Sequence, residues 1–126
     1  MKRYLLFIIS ILLCACSTCK VVKTSPVQEI QFGGGGGATS MYSKHIVNSK
    51  GEVYKNGNKL KNLTCQELSE IFGLAEQIDS PNVNPGNASL YITIVRKDTT
   101  LNLIWDWQQR PDSITNELYT KLNSIL

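Results

Sequence analysis

The chain reads as an α+β protein, an antiparallel sheet of four to five strands with two helices packed on one face, in the order β-ββ-α-ββ-α. Two stretches, residues 41–55 and 90–107, alternate apolar and polar side chains about turn signals and read as hairpins. Two others, 63–78 and 112–125, repeat apolar residues at helical spacing behind an N-cap residue. A sheet with one apolar face and two amphipathic helices is most simply completed as a two-layer sandwich.

Residues 27–32, Val-Gln-Glu-Ile-Gln-Phe, form a short first strand that runs into five glycines, residues 33–37. Five glycines cost backbone entropy wherever they are ordered. They are expected to be a flexible or bulged loop, with Gly35 at its centre as the candidate for backbone contact with a ligand. They are not a phosphate loop, because no Gly-Lys-Ser/Thr closes the run and no helix pattern follows it. The first hairpin comes next, turning at Asn48-Ser49-Lys50-Gly51, with a second turn at Asn56-Gly57. His45, the only histidine, stands mid-strand with no nucleophile elbow near it.

Thr64-Cys65-Gln66-Glu67 spells a capping box, with Leu63 and Leu68 in the staple positions, and Leu68, Ile71, Phe72, Ala75 and Ile78 continue as one helical face. Cys65 falls in the first turn, where the positive end of the helix dipole favours a thiolate. Residues 79–88 are dense in Asn, Pro and Gly and read as a ten-residue loop; Asn84 and Asn87 are its candidate binding residues. The second hairpin follows and is expected at the centre of the sheet. Leu101, Leu103, Trp105 and Trp107 share one of its faces while Asp106 points to the other. Two neighbouring indoles could form a platform for a sugar ring. The two leucines beside them place at least one indole in the core, with Trp107 the better candidate for exposure. Asp112 caps a final helix carrying Ile114, Leu118, Leu122 and Ile125 inward.

The first residues have a different character. Lys2 and Arg3 precede an apolar run of about ten residues, too short to span a bilayer as a helix, which needs about twenty. Leu13-Cys14-Ala15-Cys16 then resembles the lipobox of bacterial lipoproteins. That resemblance implies a signal peptide at residues 1–15 and a lipidated Cys16. Residues 16–26 would then be a tether and residues 27–126 a single domain. Cleavage removes Lys2 and Arg3 and leaves eleven basic residues against ten acidic, so the net charge falls from +3 to +1. With no basic stripe, nucleic acid is not an expected partner. Cys14 would leave with the signal and the Cys16 sulfur would become a thioether. Cys16-Ser17-Thr18-Cys19 is therefore no redox motif, and Cys19 and Cys65 are left free to pair or not. Two thiols and one histidine make no zinc set, so neither metal nor cofactor is expected.

Beyond the lipobox, the glycine run before a Tyr-bearing strand, Gly51-Glu52-Val53-Tyr54-Lys55, Pro85-Gly86-Asn87 and the late Trp strand resemble small uncharacterised lipoproteins of Gram-negative gut-type bacteria. The resemblance implies an envelope address and offers no catalytic residues. Ser17 after the lipidated cysteine leans toward the outer membrane. The expected function is a non-enzymatic, lipid-anchored module that binds or inhibits an envelope protein through its sheet face or through the loops at 33–40 and 79–88. The alternative is a glycan-binding lipoprotein using Trp105 and Trp107. A small hydrolase would have to rest on His45 or on a Cys65 thiolate.

Overall fold

In the computed structural model, which describes residues 24–36 and 42–126, one mixed sheet carries two helices. The strands are β1 (Val27–Gly36), β2 (Tyr42–Asn48), β3 (Glu52–Lys55), β4 (Asn58–Asn62), β5 (Asn82–Asn84), β6 (Ala88–Arg96) and β7 (Thr100–Asp106). Helix α1 (Cys65–Glu76) separates β4 from β5, and α2 (Ser113–Ser124) ends the described chain. The expected signal segment, Cys16, Cys19 and most of the expected tether lie outside the described residues.

The α+β class is as expected, but the sheet is larger, with seven strands in the order β4-β3-β2-β1-β6-β7-β5 among the described residues. Two short strands account for the difference. In β4 the run Asn-Lys-Leu-Lys-Asn is exposed throughout, so it has no buried face to impose an alternation. Lysines on such an edge discourage pairing with another chain. In β5, three residues of the expected loop pair with β7 in parallel, Val83 opposite Ile104, which makes the sheet mixed rather than antiparallel.

The centre also moves. Strand β1 pairs with β2 on one side and β6 on the other, so the first strand and not the second hairpin occupies the middle. It does so because the glycine run is not a loop: Gly33, Gly34 and Gly35 continue β1 and are paired on both sides, and Gly36 pairs with Ala88 of β6. Gly37 lies outside the described residues.

One face of the sheet is covered. Ile30, Phe32, Val47, Val53, Ile92, Ile94, Leu101, Leu103 and Trp105 all belong to the same side of the alternation and are buried. They form one core with Leu68, Ile71, Phe72 and Ala75 of α1 and Leu118 and Leu122 of α2. The opposite face shows Glu29, Gln31, Ile46, Tyr54, Tyr91, Thr93 and Ile104 in partial exposure. At Leu68, Ile71, Phe72 and Ala75, the helical spacing read from the sequence is the spacing that is buried.

Both helix starts are fixed by side chains. Thr64 accepts the Glu67 N–H at 3.2 Å while Glu67 accepts the Thr64 N–H at 2.9 Å, a complete capping box. Asp112 accepts from the Thr115 N–H at 3.0 Å and from its hydroxyl at 2.7 Å. Those bonds hold its carboxyl below the usual aspartate range. A folded-state pKa below the unfolded one contributes stability that is present at neutral pH and lost as pH falls through the folded value. Asp112→Ala is therefore expected to cost about 1 kcal/mol at pH 7. The gap between the variant and the parent should close in acid, as read by urea midpoints at pH 7 and below pH 3. A gap that is constant across that range would show that the cap does not act through its charge.

Candidate functional site

Strand register settles which candidate residues meet. Gly35 lies between Tyr42 and Ser89, and Ser89 lies opposite Asp106. Gly36 is paired with Ala88, whose carbonyl takes the Trp107 N–H at 3.1 Å, and Asn84 lies opposite Trp105. Gly35, Asn84, Asn87 and Trp107 come from three separate segments, and all of them fall at one end of the sheet. This rim consists of the end of β1, the starts of β2 and β6, the ends of β5 and β7, and the bend at 85–87.

The rim is held by short-range bonds. Asn84 donates from its side-chain amide to Gln109 at 3.2 Å, and Asp106 accepts the Gln108 N–H at 2.9 Å to close the turn after β7. Ser89 accepts the Gly86 N–H at 3.2 Å and donates to the Gly86 carbonyl at 3.4 Å, which folds the bend back on β6. Gly86 can be nothing larger: a methyl group there would overlap the Asp106 carboxylate and come within 2.7 Å of its Cβ. Gly36, with φ 93°, ends β1 in a conformation that L side chains rarely adopt.

Large side chains stand exposed around this rim, Tyr42 at 71 %, Val83 at 59 % and Trp107 at 59 %. Trp107 continues the helix-side alternation, while Tyr42 belongs to the open face, so the two flank the rim rather than stack. The two indoles are not neighbours on a platform either. Trp105 is 5 % exposed and packs edge-on against Tyr119 of α2, at 5.2 Å between ring centres. Tyr42, Val83 and Ser89 were missed in the sequence, because their relevance follows from a register that sets residues far apart in the chain side by side.

The groups on which a hydrolase would rest are occupied elsewhere. His45 is buried on the helix side, stacked on Phe32 at 5.2 Å. Burial first and then the Lys55 charge lower its pKa, and its Nδ1 has no hydrogen-bond partner among the described residues. Cys65 is disulfide-bonded, so its sulfur is not available as a thiolate. Among the described residues, no group of three or more His, Cys, Asp or Glu could hold a metal ion, and no helix is long and apolar enough to cross a membrane. A groove of about 660 Å³ separates α1 and α2 on their outer side, between Gly73 and Gln77 on one helix and Glu117 and Ser124 on the other. Glu70 and Lys121 bridge it at 2.5 Å, and the bond lowers the Glu70 pKa and raises that of Lys121. It offers an ion pair, amides and two hydroxyls, of which Thr120 donates to the Asn116 carbonyl at 2.8 Å and Ser124 to the Lys121 carbonyl at 2.6 Å.

No protein-family model matches this chain, and a search of curated proteins returns no match.

Proposed function

We propose that this protein is a lipid-anchored lipoprotein of the cell envelope, held at the outer membrane through Cys16, and that it works as a non-enzymatic interaction module. It would dock an envelope protein at the sheet rim. The observation that carries this reading is the meeting of Gly35, Asn84, Asn87 and the exposed Trp107 at one end of the sheet. Exposed aromatics beside fixed polar groups are the residues that dominate protein interfaces.

The direction of β1 adds support. The chain enters the domain at Val27, and nine residue steps carry it to the rim, roughly 30 Å away. A lipid upstream of Val27 would therefore hold the end opposite the rim and leave the rim facing outward. The lipobox and the resemblance to small Gram-negative lipoproteins support the same address.

Affinity capture of the lipidated protein from its own envelope, with crosslinking and mass spectrometry, tests the reading. One recurrent protein crosslinked near residues 35, 84–87 or 107 is expected, and Trp107→Ala should reduce its recovery by about tenfold or more, the scale of a hot-spot residue. A Cys16→Ala control should remove the membrane association. Recovery of glycan without protein would replace this reading with glycan binding by Trp107 alone, and recovery unchanged by Trp107→Ala would remove the rim from the account.

A further inference from the structure

Negative charge is concentrated on the helix layer. Helices α1 and α2 carry the glutamates Glu67, Glu70, Glu76 and Glu117 against Lys121 alone, whereas the whole chain has 13 basic residues against 10 acidic ones. The groove of about 660 Å³ between the two helices lies in this layer. We propose that it is a docking groove for a basic, amphipathic helical segment of a protein partner, separate from the sheet rim.

Gly73 is the residue that points to an occupant. It stands inside α1, where glycine is less stable than alanine because it orders more backbone and buries no side chain. Helix packing does not require it, since a methyl group added there meets no atom within 4 Å. Backbone conformation does not require it either, because Gly73 is not one of the glycines with positive φ. Its missing side chain opens the wall of the groove, so that a chain lying between the helices can approach the α1 backbone closely.

The rest of the lining states what that chain should carry. Glu70, Gly73, Leu74 and Gln77 follow one another at spacings of three and four along one side of α1. Leu74 packs partly into the core and gives this wall an apolar centre. On the α2 side, Lys121 is already bonded to Glu70, and Glu67 adds a further negative charge that raises the Lys121 pKa. Glu117 stands exposed on the same wall. The ammonium is outnumbered, so the groove favours lysine or arginine from outside and repels an acidic partner. Charge of this exposed kind selects the partner more than it holds it, and the apolar contact with Leu74 and Gly73 must supply the grip.

Dimensions favour a helix as the occupant. Glu70 to Gln77 rises about 10 Å and Asn116 to Ser124 about 12 Å, a length that two helical turns fill. A helix that sets an aliphatic side chain on Leu74, a small residue over Gly73 and a basic one toward Glu117 uses the whole lining.

The test follows backbone amide signals of the full-length protein, in a non-ionic detergent, while a synthetic peptide is added. The probe is an alanine-based helical peptide with a leucine and two lysines on one face. Its controls are the same peptide with glutamates in place of the lysines, and spermidine. The expected result is saturable shifts at Gly73, Leu74, Gln77 and Thr120 below about 1 mM lysine peptide, weakened by salt and missing with the glutamate peptide. Gly73→Met, which fills the groove with a good helix former, should lower the affinity about tenfold or more while the unfolding midpoint rises. Glu117→Lys should lower it about tenfold, and Trp107→Ala should leave it unchanged, so this groove and the rim are judged separately. Equal shifts with both peptides, no shifts up to that concentration, or an affinity unchanged in Gly73→Met would overturn the proposal. Spermidine matching the peptide would replace the protein partner with a free polycation. Shifts that grow with protein concentration alone would make a second copy of this chain the occupant.

Discussion

Gly33→Ala is expected to destabilise the fold by about 3 kcal/mol, enough to lower the midpoint of a domain of this size by roughly 15 °C. Gly33 sits in the central strand, paired with Lys44 on one side and Tyr91 on the other. A methyl group on it would drive into the Ser43 carbonyl oxygen and come within 2.9 Å of the carbonyl carbon. That obstacle is backbone, which cannot rotate aside as a side chain can, so relief requires β1 and β2 to part. The same carbonyl accepts the Tyr91 hydroxyl at 3.3 Å from across β1, a bond that parting the strands would break at a further cost of about 1 kcal/mol. Gly73→Ala is the control. It replaces a glycine within α1 that has no atom within 4 Å of an added methyl, and should stabilise by about 1 kcal/mol. Thermal and urea unfolding of both variants decide the point. If Gly33→Ala unfolds within a few degrees of the parent, the close approach of the strands is not needed.

The glycine run also shows where sequence reading stopped. That five glycines mark either a loose loop or a close approach was legible; which of the two was not. The choice depended on Ser43 and Tyr91, ten and fifty-eight positions further along, whose positions follow from strand register and not from any local pattern. The helices were legible almost to the residue, because a capping box and an apolar stripe are local signals. Strands β4 and β5 were not, because exposed edge strands bury no side and so carry no period. The binding candidates divide in the same way. Asn84 and Asn87 could be picked from loop composition and Trp107 from its place at a strand end, but their meeting with Gly35 required the pairing of β1 with β6 and of β6 with β7. Tyr42 gave no signal beyond its position after the glycines.

The second large effect is expected at Arg96, the last residue of β6. Its guanidinium donates to the Ala75 carbonyl at 3.0 Å and to the Ile78 carbonyl at 2.6 Å, closing the C-terminal end of α1 onto the sheet. The last carbonyls of a helix have no intrahelical donor, and a cation there also meets the negative end of the helix dipole. The Ala75 carbonyl keeps the Ile78 N–H at 3.3 Å when the guanidinium is gone. Arg96→Met retains most of the aliphatic stem and removes both charge-assisted bonds, so it should cost about 2 to 3 kcal/mol. Both bonds come from the one terminal nitrogen Nη2, and Arg96→Lys keeps a charged donor but on a stem one bond shorter, so it should recover about half of the loss. The bonds run to backbone carbonyls, which do not titrate, so the Arg96→Met deficit should be the same at pH 7 and pH 4. The Asp112→Ala deficit, by contrast, shrinks in acid. Hydrogen exchange should localise the damage to the last turn of α1, the turn that also receives Ser25 and the incoming chain. A loss below about 0.5 kcal/mol, with protection of that turn unchanged, would mean that packing of Phe72 and Ala75 against the sheet holds the helix without the clamp.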